Sequence, residues 1–404
     1  MQKTVHVKKI LTFLLIALCY LLSSCVSSVP VSKPVKDLYT KDELEEIEKA
    51  LAENISQYKL PGLIIGITSD ESNLFVKARG IRVLGQPENL LETDLMHIGS
   101  NGKAMTSTMI GVLVECGILS WDSTPADIYP EIANEISPEF KSITLSQLLC
   151  HSAGITGFTE EEEFANMPVL RGDYIQQRLE FTKWVLTPKP LWAPGTFHYS
   201  NAGYVIAASM AEARTQKSWE FLMKELLFEP LGIRAQFGWP AESTSDQPWG
   251  HAEIDGKLCA ISPSNKEYLI PEWLAPAGDI SMSLPDYLSF LRCHLEGLQG
   301  CSSLLNKKTF ELLHNVYNTE GPSGVGAAYR WGVKELNGVT YHVHVGSGGT
   351  FYICVALVPE MNIGIAVACN AGNVAASEAC AKLLKLLLAK HINKVKALGV
   401  IPQP

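Results

Sequence analysis

Basic charge is scarce in this sequence. Its 404 residues hold 33 Lys and Arg against 42 Asp and Glu, a net charge of −9, and four glutamates run together from Glu160 to Glu163. Proteins that grip a phosphate backbone do so with clustered Lys and Arg, so no nucleic-acid partner is expected. None of the ten cysteines forms a C-x-x-C pair, which argues against a zinc ribbon or a thioredoxin-type motif. There is no internal repeat and no low-complexity tract. The segment Gly346 to Thr350 (GSGGT) lacks the Lys-Ser/Thr ending of a phosphate loop and precedes a strand pattern, not a helix. His342 and His344 form an H-x-H pair without the following Asp or second His cluster of a metallo-hydrolase, so neither metal nor organic cofactor is expected. Disorder is excluded for the bulk of the chain by 47% apolar and 19% charged residues.

Long apolar runs are equally sparse. Lys3, Lys8 and Lys9 precede an apolar stretch from Ile10 to Leu22, whose thirteen residues suit the core of a signal peptide better than a bilayer span. Leu22-Ser23-Ser24-Cys25 resembles a bacterial lipobox. That likeness implies cleavage before Cys25, lipid on its thiol, and a protein held to the membrane of a bacterial cell envelope, facing the periplasm or the exterior. Residues 1–24 are thus expected to be the lipoprotein signal peptide and residues 25–39 a Ser- and Pro-containing tether. Of the eight cysteines beyond Cys25, Cys293 and Cys301 are one short-range pair that oxidation would join. The simpler expectation is small buried hydrophobes.

Folded structure is expected from Thr40, where Glu43 completes a capping-box spacing ahead of an amphipathic helix. The runs GLIIGIT and NLFVKARGIRV follow as strands, and an almost uncharged helix spans Ser100 to about Cys116, with Gly117 as its stop. From roughly 126 to 270 the pattern is mainly helical. Asn337-Gly338 then joins two strand patterns by a tight turn, and a second hairpin and a closing amphipathic helix complete the chain. Strands at both ends and helices between them predict an α+β fold. Its sheet subdomain covers about 40–125 and 271–394, with a helical subdomain at 126–270 inserted.

Ser100 and Lys103 lie three residues apart at a helix start, on one face and near enough to share a proton. A serine hydroxyl is a weak nucleophile until something takes its proton. Alone, S-x-x-K is a common four-residue pattern. Two further segments add to it: Tyr199-Ser200-Asn201 between a turn and a helical pattern, and His344-Val345-Gly346 on a predicted strand followed by small residues.

The order S-x-x-K, Y-x-N, H-x-G resembles the serine beta-lactamase and penicillin-binding-protein superfamily, in its class C-like branch. ITLSQLLCHSAGI, LLFEPLGI and LAPAGDISMSLPDYLSFL resemble further segments of that family, so the likeness covers about residues 45 to 390. It implies an antiparallel sheet flanked by helices, with the site between it and the helical subdomain. It also implies Ser100 as the acylated nucleophile and Lys103 with Tyr199 as the proton-shuttling pair. Asn201 would orient Lys103 and the substrate amide, His344 and Gly346 would help bind substrate, and the N–H groups of Ser100 and Ser347 would form an oxyanion hole. Ordinary pKa values near 10.4 for Lys and 10 for Tyr require perturbation before either serves as a base at neutral pH.

The resemblance implies a small-molecule substrate: an ester, a D-amino-acid peptide or a beta-lactam. The usual K-T-G lysine is here His344, mostly neutral at pH 7.5, which favours esters or D-residue peptides and predicts better use of carboxylated substrates towards pH 6. A class C-like beta-lactamase and a non-catalytic module binding peptidoglycan fragments are the rival readings. Two departures stand out. Asn101-Gly102 separate the serine from the lysine and predict a looser helix start, and Gln216 occupies a helix end where the family carries glycine.

Overall fold

Thr40 caps the first helix, α1 (Lys41–Tyr58), through the expected box: its hydroxyl takes the N–H of Glu43 and the Glu43 carboxylate takes the N–H of Thr40. The computed structural model describes residues 39–316, 326–327 and 331–397, so Cys25, the signal segment and nearly all of the tether lie outside the described residues. Numbering strands in full and only helices of eight or more residues, the chain continues β1 (Gly62–Thr68), β2 (Asn73–Gly80), β3 (Leu95–His97) and α2 (Gly102–Glu115). Then come α3 (Tyr174–Leu186), α4 (Asn201–Thr215), β4 (Ala235–Phe237), β5 (His251–Ile254), β6 (Lys257–Ala260) and β7 (Ile280–Ser283). The last part holds α5 (Leu284–Gln299), α6 (Lys307–His314), β8 (Gly326–Ala327), β9 (Gly332–Leu336), β10 (Val339–Ser347), β11 (Tyr352–Val358), β12 (Ile363–Cys369) and α7 (Val374–Ala397).

Seven strands form one antiparallel sheet in the order β2-β1-β12-β11-β10-β9-β8, so segments nearly 300 residues apart become neighbours where β1 meets β12. Asn337 and Gly338 both take positive φ (53° and 75°), as a type I′ hairpin demands. The continuous apolar runs of β1 and β12 are buried on both faces. One face carries α7 and α1, with Leu383 of α7 in the same cluster as Leu63, Ile65 and Val367 of the sheet, and the other carries α5 and, beyond it, the helices around α2 and α4.

The middle of the chain is less purely helical than its pattern predicts. β4 joins β3 and β7 in a three-stranded sheet, and β5 and β6 form a separate hairpin. These strands run three or four residues, too short for a period-2 signal to emerge from the surrounding sequence. The small sheet places the site, since β3 runs directly into the Ser100 turn and β7 begins one residue after Asp279. No disulfide joins the cysteines among the described residues: Cys293 is buried and Cys301 exposed, without a bridge between them.

Candidate active site

Gly99–Asn101 form a single 3₁₀ turn that passes straight into α2, and Ser100 sits on that turn. The start is tight, in contrast to the looseness expected of Asn101-Gly102. A Cβ on Gly102 would come within 3.0 Å of the Gly278 Cα, so the missing side chain lets α2 press against the segment that leads into β7. Lys103 follows, fully buried, with its Nζ donating to Ser100 Oγ at 3.0 Å and to the Ala277 carbonyl at 2.6 Å. Burial of an ammonium is costly, and these acceptors offset it. The question posed by a lone lysine in an uncharged helix is answered by its place against the serine.

Tyr199 reaches the same oxygen from a different element. Ser200 caps α4 through its hydroxyl, and Tyr199, one residue earlier, brings its OH to 2.7 Å from Ser100 Oγ. Its ring stacks on His151 with centroids 4.5 Å apart, and His151 Nδ1 accepts the N–H of Ser200, so that histidine backs the tyrosine. His198 stacks instead on Trp192, 3.9 Å between centroids. Asn201 lines the cleft and donates through Nδ2 to the Phe158 carbonyl at 2.7 Å, while its N–H donates to Gly157 O.

The opposite wall is strand β10. A Cβ on Gly346 would fall 2.1 Å from Ile98 O and 3.0 Å from Ser100 N, so only glycine lets this strand run flush against the serine turn. Ser347 follows, its hydroxyl donating to Phe351 O and accepting from Gly349 N. His344 lies two residues before Gly346 on the same strand. It is 5% exposed, its Nδ1–H donates to Val345 O at 2.8 Å, its Nε2 is sealed from solvent, and Trp331 stands edge-on to it at 6.2 Å. The imidazole is turned back onto its own strand. The cleft itself, about 180 Å³, is lined by Ser100, Asn201, Ile270, Leu274 and Ser347 with small residues between them, and none of its described lining residues is charged.

Two supports escaped sequence reading. Glu163, one of the run of four glutamates, turns onto the backbone of its own loop. Its carboxylate accepts the N–H groups of Gly157, Thr159 and Glu160 and so shapes the loop that holds Asn201. The clue was its position three residues after Glu160, the spacing of a reciprocal cap. Arg178, fully buried, bonds Glu212 and Glu220 and also donates to the carbonyls of Glu272 and Trp273. With Thr106 donating to Pro276 O, these bonds pin the segment that carries Leu274 and Ala277 into the cleft. Nothing in the spacing of those residues marks them in the sequence.

The arrangement has known counterparts. The chain matches the Beta-lactamase family over residues 44–390. Penicillin-binding protein 4 of Amycolatopsis lactamdurans is 24% identical over 329 residues, 78% of this chain and 82% of that protein. The structure resembles that of the octameric penicillin-binding protein homologue from Pyrococcus abyssi, with a TM-score of 0.70 at 24% identity over 86% of this chain and 78% of that one. It resembles the D-alanine carboxypeptidase AmpC from Burkholderia cenocepacia with a TM-score of 0.67 at 21% identity, covering 86% and 99%. A match across most of the chain, a shared antiparallel sheet and a serine, lysine and tyrosine meeting at one oxygen agree, and the chain belongs to the beta-lactamase family, within the serine-hydrolase-type superfamily that includes the penicillin-binding proteins.

Proposed function

We propose that the protein is a serine hydrolase that forms an acyl-enzyme on Ser100 and cleaves uncharged ester or D-residue amide substrates in preference to beta-lactams. The observation that carries this reading is the hydrogen-bonded chain at Ser100 Oγ, with Lys103 Nζ at 3.0 Å and Tyr199 OH at 2.7 Å. Lys103 donates to that oxygen, and the serine and tyrosine hydroxyls share the second bond. As Oγ attacks the substrate carbonyl, its proton passes into the Lys103–Tyr199 pair and from there to the leaving alcohol or amine. Water then attacks the ester on Ser100, the pair takes its proton, and Ser100 recovers its own. The Ser100 and Ser347 N–H groups are assigned to the carbonyl oxygen, where donors fixed in advance favour the developing charge.

The substrate preference is supported by the uncharged cleft, its Ile270 and Leu274 wall, and a histidine bonded to Val345 O at the place of the K-T-G lysine. The D-alanine carboxypeptidase named above is similar in fold, which is consistent with a D-residue substrate. A bacterial-envelope location, with lipid on Cys25, rests on the lipobox alone. No helix of the described residues is long and apolar enough to cross a membrane. The test sets p-nitrophenyl esters and D-Ala peptides beside cephalosporins at pH 7.5, with Ser100→Ala as the blank. Ester or peptide turnover should dominate, and cephalosporin turnover tenfold above ester turnover would overturn the preference. Cys25→Ala should leave the membrane fraction, and retention after signal cleavage would overturn the anchor.

A further inference from the structure

We propose that the buried pair His97–Asp279, which touches no substrate position, is a positioning element that holds the Gly278 segment and the Gly348 turn, one on each side of the Ser100 turn, in register. It rests on the acyl-enzyme reading above. His97 is the last residue of β3 and is fully buried, with Nε2 3.0 Å from Asp279 Oδ1. A carboxylate only accepts, so His97 Nε2 carries the proton. The partners reach each other because β3 and β7 pair antiparallel, His97 opposite Ser281.

Each end of the pair leans on a different wall. Asp279 follows Gly278, whose Cβ, were there one, would lie 2.3 Å from Gly99 O and 2.9 Å from Ser100 N. The far edge of the imidazole meets Gly348, where an added Cβ would stand 2.8 Å from His97 Cε1 and 2.9 Å from Nδ1. Gly348 adjoins Ser347, the second assigned oxyanion donor. The ring is held between Trp239, centroids 5.7 Å apart, and Phe351, at 6.4 Å. It therefore works as a wedge, hydrogen-bonded to the Ser100 side and in van der Waals contact with the Ser347 side. β10 already lies flush on the serine turn, so loss of the ring would free Gly348 and the turn after Ser347 to shift, and loss of the bond would let the ring turn. Displacements of this kind cost transition-state stabilisation much more than ground-state binding, since donors that miss the developing oxyanion by a fraction of an ångström still admit substrate.

The test compares full-length wild type with His97→Ala, His97→Gln, Asp279→Ala and Ser100→Ala. The measurements are kcat and KM for a p-nitrophenyl ester, the inhibition constant of a boronic acid that forms a tetrahedral adduct, and the melting temperature. His97→Ala should lower kcat by about tenfold or more with KM within about threefold, and weaken the boronate in proportion to kcat. His97→Gln, whose Nε2–H reaches towards the same carboxylate, should recover most of that loss. Wild-type kcat and boronate affinity in a folded His97→Ala protein would overturn the proposal, as would a His97→Gln protein no better than His97→Ala. If His97→Ala does not fold, Asp279→Ala breaks the same bond while leaving the ring's slot filled, and wild-type kcat and boronate affinity in that protein would overturn the proposal. Wild-type turnover no higher than that of Ser100→Ala would instead sink the acyl-enzyme reading, and this proposal with it.

Discussion

Two buried clusters of titratable groups hang between helix α2 and strand β10, and they have opposite chemistries. At one end Lys103, Ser100 and Tyr199 close a set of hydrogen bonds that opens onto the cleft through the serine. At the other end His294, His314 and His342 stack beside Trp331. There the hydrogen bonds run in one direction only. Thr108 donates to Ala104 O, so His294 Nε2–H donates to Thr108, His294 Nδ1 accepts from His314 Nε2–H, and His314 Nδ1 is left a buried acceptor without a partner. Burial pushes His294 down to about 3 and His342 to about 4, and holds His314 well below the usual histidine range. Both clusters are polar. The first gathers its hydrogen bonds on an oxygen that faces the cleft, whereas the second is held neutral by burial and serves packing.

The contrast breaks most visibly at Ser100. Ser100→Ala should lower ester turnover by about 10³-fold or more and abolish labelling by a serine-directed phosphonate, with the melting temperature nearly unchanged. Labelling at wild-type stoichiometry would remove Ser100 from its role. Lys103→Ala and Tyr199→Phe should each cost a comparable factor. The double variant should be little worse than the poorer single one, because groups that act as a unit are not additive. Independent, multiplying losses measured for the pair would argue against a shared proton path.

For the histidine cluster the effect should be on stability and not on turnover. Folded-state pKa values below the ordinary 6.5 mean that the unfolded chain binds more protons. The stabilisation is therefore complete above pH 6.5 and drains away as pH falls towards about 4. At pH 5 the loss from His342 alone should be about 2 kcal/mol, with His294 and His314 adding in the same direction. Urea unfolding at pH 7.5, 6.5 and 5 measures it, and His342→Gln should flatten the slope relative to wild type. Equal slopes for the two proteins would show that this histidine does not titrate on unfolding.

The smallest effect should come from a residue that belongs to neither cluster. Gln216 closes α4 with φ 59°, a left-handed conformation that glycine adopts without strain. Gln216→Gly should stabilise by up to about 1 kcal/mol and leave kcat alone, since this end of α4 lies far along the helix from Tyr199. A loss of stability on chemical unfolding would mean that the glutamine side chain, bonded to Ala213 O, outweighs the backbone strain.

Much of the frame was legible because it follows from local rules. The Thr40 box, the Asn337-Gly338 turn, the long buried strands and the i, i+3 placement of Ser100 and Lys103 are each set by a few neighbouring residues. That Tyr199 belongs with them came from the resemblance, which summarises a tertiary arrangement seen in other chains. What no local pattern contains is the meeting of distant segments. The H-x-G pattern does not show that the His344 ring bonds Val345 O. The glutamate run does not show that the loop over Asn201 bends the Glu163 carboxylate onto three backbone N–H groups. His97 faces Asp279 across 182 residues. Sequence by itself determined which elements form and which residue types bear the chemistry, since backbone geometry and the period of apolar side chains act over a few residues. Only the packed structure decided which polar groups meet and which are sealed, because hydrogen bonding and desolvation depend on atoms that distant parts of the chain bring together.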